Sequence, residues 1–187
     1  GMTDLAIQTF NELLRLNNLN PKDRAMAFHN LGATNIKRGD YLKAIKFLDT
    51  AIVLNSTLDD QRYIYISLMD KGEAEMRAGK YLEAEGSFLK ALKLDINVTT
   101  SEELFVIYHY LSIVMSNLNK ADKAEHWAAL YRKAVKENLI ESGSGVGFKP
   151  TTFNRFYNKL NTDFSTLNFQ DYKQLNSLFL DEFISGD

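Results

Sequence analysis

Residues 31–44 read LGATNIKRGDYLKA, and residues 71–84 repeat that pattern as KGEAEMRAGKYLEA. The two copies start 40 residues apart, and a fainter third copy, LSIVMSNLNKADKA, occupies residues 111–124. A repeat of this length is typical of a stacked array, in which each unit buries its apolar face only against its neighbours. Arrays of this kind present extended surfaces and rarely hold chemistry. The repeat therefore favours binding over catalysis.

The composition fits an ordinary globular chain. Its 187 residues include 22 Lys or Arg and 24 Asp or Glu, a balance that gives no electrostatic footprint for nucleic acid or anionic lipid. Cysteine is absent, which excludes disulfides, thiolate metal sites and a thiol nucleophile. No apolar run approaches the ~20 residues of a membrane span, and no signal-peptide pattern opens the chain. We therefore expect a cytoplasmic protein that binds neither nucleic acid nor membrane.

The first copy reads as two helices separated by a glycine turn. Apolar residues recur at helical spacing between Asp23 and Lys37, which predicts the first helix. Gly39 ends this helix, because glycine adopts the left-handed cap conformation without a Cβ penalty. A broad apolar stripe predicts the second helix, from about Tyr41 to Asn55.

The second copy repeats this design, with helices expected at about 60–78 and 81–95. Gly32 and Gly72 are expected where the paired helices cross, because a larger side chain there would push the two axes apart. The third copy has Asn119 in place of the turn glycine. Its two helices are expected on the same plan.

One amphipathic helix precedes the first copy. Its residues Ala6, Phe10 and Leu13 fit the second-helix positions of a unit whose first helix is missing. An unpaired helix of this kind leaves an apolar flank that needs a cap or a subunit partner. A homodimer is therefore one expected form of the protein.

These residues resemble the tetratricopeptide repeat (TPR), whose pattern is a large residue, Leu-Gly, a Gly-x-Tyr turn, and then Ala, a large residue and Ala. The first copy supplies Phe28, Leu31, Gly32, Gly39, Tyr41, Ala44, Leu48 and Ala51, and the second supplies Leu68, Gly72, Gly79, Tyr81, Ala84, Phe88 and Ala91. The second copy departs from the family at Lys71, which takes the usual Leu position. The spacing of 40 residues also exceeds the ~34 that is usual for the family.

The resemblance implies an all-α fold, a right-handed α–α superhelix of the TPR-like solenoid type with a C-terminal helical pair. The expected array spans residues 2–138, as a half repeat at 2–20 and repeats at about 25–58, 65–98 and 105–138. A Gly/Ser linker is expected at 139–150 and two capping helices at 151–187. Two alternatives stay open for these helices: they fold back along the concave face as a mimic of the ligand, or they form a dimer contact.

The resemblance also implies that the first helix of each unit lines a concave binding face. The residues expected there are Met26, His29, Asn30, Ala33, Lys37, Ile66, Met69, Asp70, Glu73, Arg77, Val106, His109, Tyr110, Ile113 and Asn117. This lining is mostly apolar, with adaptable methionines and a few polar groups at its margins. It suits an extended peptide or an amphipathic helix. The alternative is that several of these residues pack between helices.

One specialisation of the family is not expected. Co-chaperone members grip a C-terminal carboxylate with Lys, Asn and Arg side chains. The matching positions here hold His29, Ala33, Asp70, Val106 and Tyr110. No cation occupies them, and Asp70 would repel a carboxylate.

Catalysis is not expected either, and the sequence predicts no metal and no cofactor. The three histidines are His29, His109 and His126, and the first two occupy equivalent positions two units apart, too distant to share a metal without other ligands. Glu73 and Glu75 point to different sides of a helix and form no acid–base pair. No nucleophile lies at a credible spacing from a base.

The expected function is therefore protein or peptide binding. One alternative is the peptide-sensing domain of a bacterial transcription regulator, suggested by the long repeats and by the half repeat at 2–20. In such a domain Asn30 and Asn35 could hydrogen-bond a peptide backbone. A second alternative is a structural oligomer that assembles through the unpaired first helix and the aromatic C-terminal segment.

Overall fold

The computed structural model describes residues 1–94 and 101–142. The regular structure within these ranges is entirely helical, and its helices are α1 (Met2–Leu14), α2 (Pro21–Arg38), α3 (Tyr41–Thr57), α4 (Gln61–Arg77), α5 (Tyr81–Leu92), α6 (Ser101–Asn117) and α7 (Ala121–Ser142). The expectation of an all-α fold is confirmed for this part of the chain. No helix in the same ranges is long and apolar enough to cross a membrane. The C-terminal helical pair expected at 151–187 lies outside the described residues.

The helix bounds follow the predicted ones closely, with one difference at the linker. The three copies form the pairs α2–α3, α4–α5 and α6–α7. Helix α7 continues to Ser142, so the first four residues of the linker expected at 139–150 are helical. The reason is local, because the first strong helix breaker in this segment is Gly143. The rest of the expected linker lies outside the described residues.

Helix α2 shows how the sequence sets both ends of a first helix. Its N-terminus is capped by Asn20, whose side-chain oxygen accepts a hydrogen bond from the backbone N–H of Asp23 at 2.8 Å. Pro21 follows at the first helical position, where its missing N–H costs nothing. At the other end Gly39 has φ of 83°, which confirms the predicted left-handed cap.

The same turn recurs in every copy. Gly39, Gly79 and Asn119 have φ of 83°, 75° and 57° and follow one another at intervals of 40 residues. In each turn the next residue donates its backbone N–H to the carbonyl five positions earlier, at 2.8 to 2.9 Å. Asparagine enters the left-handed region more readily than other residues with a side chain. The third copy therefore keeps the turn geometry without the glycine.

Two compact units divide the chain, the first spanning 1–100 and the second 101–187. In the first unit each helix packs on the next in sequence from α1 to α5, and α2 also contacts α4. In the second unit α6 packs on α7. Stacking of the third repeat on the second stays a prediction.

Both crossing glycines are in close contact with a partner side chain. A Cβ on Gly32 would lie 2.5 Å from Cγ of Leu48, and a Cβ on Gly72 would lie 2.6 Å from Cε1 of Phe88. The prediction that these residues let the paired helices approach is confirmed. Helices α3 and α5 each bury three equivalent residues completely, Ala44, Leu48 and Ala51 in α3 and Ala84, Phe88 and Ala91 in α5.

Candidate functional site

The two first helices of the first unit carry ten of the residues expected to bind a partner. We call this surface the α2–α4 face; it comprises Met26, His29, Asn30, Ala33 and Lys37 of α2, and Ile66, Met69, Asp70, Glu73 and Arg77 of α4. Nine of the ten are half-buried and Lys37 is exposed. Steps of three and four residues place each set on one stripe of its helix. All ten therefore retain surface that a partner could contact.

Helices α2 and α4 are joined at this face by a histidine. The Nδ1 atom of His29 lies 3.2 Å from Oγ of Ser67, within hydrogen-bonding distance. Its Nε2 atom lies 3.6 Å from Oδ2 of Asp70. The His29 side chain is 13% exposed and the Asp70 side chain 28% exposed. The imidazole thus lies between the two helices while the carboxyl group reaches solvent.

The surroundings of this pair change its protonation. Burial, together with the negative charge of Glu73 one turn away, raises the pKa of Asp70 to about 7, and Lys37 on α2 opposes this rise. Burial lowers the pKa of His29 below its ordinary value. Asp70 is thus partly protonated at neutral pH. The repulsion of a carboxylate expected from Asp70 is correspondingly weaker there.

The remaining charges of the face balance one another. Arg77 Nη2 lies 2.6 Å from Glu73 Oε1, and the side chains are 10% and 18% exposed. Lys37 adds one exposed cation and Asp70 one titrating acid. The face therefore has no strong preference for the sign of a partner's charge, and its apolar residues dominate recognition.

In the second unit the expected site residues divide into two groups. Val106 and Tyr110 are half-buried, and Asn117 is exposed. His109 and Ile113, in contrast, are 2% and 1% exposed. A side chain without accessible area cannot contact a partner, so both are removed from the candidate surface.

The burial of His109 has a clear structural basis. Its ring centroid lies 5.0 Å from that of Tyr131 on α7. Burial lowers the pKa of His109 to about 3, so the imidazole is neutral at physiological pH. Helical periodicity placed this residue on the first-helix stripe but carried no information about which neighbour covers it.

Asn35 is a second correction. Its side chain is 1% exposed, donates a hydrogen bond to the carbonyl of Leu31 at 2.7 Å and accepts one from Arg38 at 3.2 Å. These bonds satisfy the amide inside the protein. Asn35 therefore does not contact a peptide backbone, whereas Asn30 remains accessible.

A polar network behind the face was not predicted. Lys71 Nζ lies 2.6 Å from Asp49 of α3 and 3.5 Å from Glu75, and Ser87 of α5 donates a hydrogen bond to Glu75 Oε2 at 2.6 Å. This network gives Lys71 two acidic partners at the position where the sequence pattern led us to expect leucine. The one available signal was the spacing of Lys71 and Glu75, four residues apart on one helix. The different partners of Glu75 (Lys71 and Ser87) and Glu73 (Arg77) confirm that the two side chains point to different sides of α4.

Aromatic side chains of α6 and α7 pack on one another. The Tyr108 and Trp127 rings stack with centroids 5.8 Å apart, and His126 packs edge-on against Trp127 at 5.4 Å.

Over the residues that the structure describes, no group of three or more His, Cys, Asp or Glu side chains is arranged to hold a metal ion.

The chain matches no model of a known protein family and no curated protein sequence.

Proposed function

We propose that this chain is a protein- or peptide-binding module, built as a TPR-like right-handed superhelical array in the cytoplasm, and that its partner lies along the α2–α4 face. One observation carries the proposal: α2 and α4, the first helices of consecutive repeats, contact each other directly. The His29 contacts to Ser67 and Asp70 are part of this contact. Side-by-side first helices leave a continuous strip of half-buried side chains.

The chemistry of the strip indicates the kind of partner. Met26, Ile66 and Met69 supply apolar surface, and methionine adapts its shape to varied side chains. The polar residues, which include the pairs His29–Asp70 and Glu73–Arg77, can flank such a contact without dominating it. An amphipathic helix or an extended peptide with apolar anchors suits this surface. The proposal includes no catalytic step and no cofactor.

The test is the affinity of the full chain for a peptide selected on it from a random library. Met69→Glu places a charge in the apolar part of the face, and we expect the affinity to fall by at least about tenfold because the charge must be desolvated on binding. Leu42→Glu is the matched control, since Leu42 is 61% exposed on α3 and lies outside the face. Calorimetry measures both affinities.

Circular dichroism of each variant separates lost binding from lost structure. Unchanged affinity in a folded Met69→Glu variant would reject the α2–α4 face as the binding surface. A chain that selects no peptide under conditions where its helices are intact would reject peptide binding itself.

A second candidate function is self-assembly through α1. This helix contains no buried residue, and Met2 and Leu5 are 91% and 65% exposed. An apolar flank of this kind is stabilised when a second copy covers it. Reversible self-association of the full chain in solution is the direct consequence.

A further inference from the structure

Within the α2–α4 face, the contact between His29 and Asp70 joins α2 to α4 through two titratable side chains. Asp70 is 28% exposed, so its proton can exchange with water. The other ring nitrogen of His29, Nδ1, lies within hydrogen-bonding distance of the hydroxyl group of Ser67, which is fully buried. The pair therefore combines a fixed imidazole with an accessible acid.

The charged groups around Asp70 can be named for each packed helix. Helix α2 presents His29 and Lys37, and α4 itself presents Glu73. Helices α3 and α5 also pack on α4, but Asp49 of α3 pairs with Lys71, and Ser87 of α5 bonds to Glu75. Among the residues that the structure describes, Glu73 is the acid whose charge raises the pKa of Asp70.

We propose that His29 and Asp70 form a proton-sensitive contact between α2 and α4, which holds the two helices together while the pair carries one proton and weakens when Asp70 releases that proton to water. The regulation of partner binding that this implies rests on the proposed function. The contact itself does not.

The physical reason lies in the charge of the pair. When one titratable proton is bound, on either Nε2 of His29 or Oδ2 of Asp70, the pair has no net charge. Loss of the proton leaves a half-buried carboxylate one turn from Glu73, and both desolvation and repulsion oppose that state. Slight separation of α2 and α4 would admit water, which solvates the carboxylate and screens its repulsion by Glu73. The face then opens as the pH rises through about 7.

The first experiment is an NMR titration of the full chain without any partner. We expect the Asp70 carboxyl to titrate with a midpoint near 7, and the His29 ring to report the same step. The step in the His29 signals should vanish in Asp70→Asn and persist in Ser67→Ala, which changes the other side of the imidazole. Glu73→Gln should lower the Asp70 midpoint by removing the repulsion. An Asp70 midpoint below about 5, or a His29 signal without the shared step, would overturn the proposal.

The second experiment measures amide hydrogen exchange in α2 and α4 at pH 6 and pH 8, after correction for intrinsic exchange rates. If Asp70 has its ordinary pKa of 3.8 in the open state and about 7 in the closed state, opening should increase about tenfold more between these pH values in wild type than in Asp70→Asn. The double ratio is the increase in opening from pH 6 to pH 8 in wild type divided by the same increase in Asp70→Asn. It largely cancels the opposite contribution of His29, whose lowered pKa favours the closed state at higher pH.

Asp40→Asn is the control. The hydrogen bond from Arg38 lowers the pKa of Asp40, so this carboxyl group stays ionised between pH 6 and pH 8. The variant should behave as wild type. A double ratio of one for wild type against Asp70→Asn would overturn the proposal. Neither measurement involves a peptide, so failure of the proposed binding function would leave both results unchanged.

Discussion

At the scale of single residues, two glycines of the second repeat meet opposite surroundings. A Cβ on Gly72 would lie 2.6 Å from the completely buried ring of Phe88, whereas a Cβ on Gly86 would meet no atom within 4 Å. Both are helical, so both carry the same entropic disadvantage relative to alanine. Whether alanine raises or lowers the free energy of unfolding at each position therefore depends on the space available for its Cβ.

We expect Gly72→Ala to lower the free energy of unfolding by about 1–2 kcal/mol, because overpacking outweighs the gain in helix propensity. Gly86→Ala should raise it by about 0.5–1 kcal/mol. Urea unfolding followed by circular dichroism measures both. Shifts in the same direction would show that the α4–α5 crossing is looser than the structure has it.

At the scale of helices, the network behind the face joins three elements. Lys71 of α4 pairs with Asp49 of α3 and with Glu75, and Ser87 of α5 bonds to Glu75. Burial raises the pKa of Glu75, while Ser87 and Lys71 oppose that rise. Removing the lysine alone would therefore leave a buried carboxylate with one neutral partner.

We expect Lys71→Leu to lower the free energy of unfolding by about 2–3 kcal/mol at neutral pH, and Glu75→Gln in the same chain to restore about half of it. The loss should grow as the pH rises above 4.5, because a raised pKa in the folded state favours folding only while the acid is protonated. Lys43→Leu is the control: Lys43 is 65% exposed in its ion pair with Asp40 and should change stability by less than about 0.5 kcal/mol. An equal effect of Lys71→Leu and Lys43→Leu would contradict the network.

The helices and turns could be predicted from the sequence because their causes are local. Gly39 and Gly79 end first helices by their own backbone preference, and Gly32 and Gly72 mark crossings because only the smallest residue fits there. The polar contacts could not be predicted, because they join residues far apart in sequence. His29 meets Asp70 only after α2 and α4 pack with a particular offset. Periodicity likewise placed His109 on a helical stripe without showing that the stripe is covered.

At the scale of the whole molecule, α1 differs from α3 and α5, the second helices of the first two repeats. Its residues Ala6, Phe10 and Leu13 are half-buried, whereas the corresponding residues of α3 and α5 are completely buried. In the first unit α3 packs on two first helices, α2 and α4, whereas the extensive contact of α1 is with α2. The first unit thus has a partly uncovered apolar flank at α1.

If a second copy covers this flank, the apparent mass of the chain rises with concentration. Leu5→Glu should then raise the concentration needed for association by at least about tenfold, since it buries a charge in the interface. Leu82→Glu is a matched control, because Leu82 is 66% exposed against 65% for Leu5 but lies on α5. Light scattering across a concentration range measures each variant. A strict monomer at every concentration would exclude self-assembly through α1.

The polar network has a consequence for the order of the repeats. Forty residues earlier, the positions of Lys71, Glu75 and Ser87 hold Leu31, Asn35 and Phe47. Similar repeats could otherwise exchange places, within one chain or between copies, without losing apolar contact. Lys71 has Glu75 on its own helix, but it gains an ion pair with the preceding helix only where that helix carries an acid at the position of Asp49. The ion pair between Lys71 and Asp49 therefore favours packing of the second repeat against the first repeat rather than against another similar repeat.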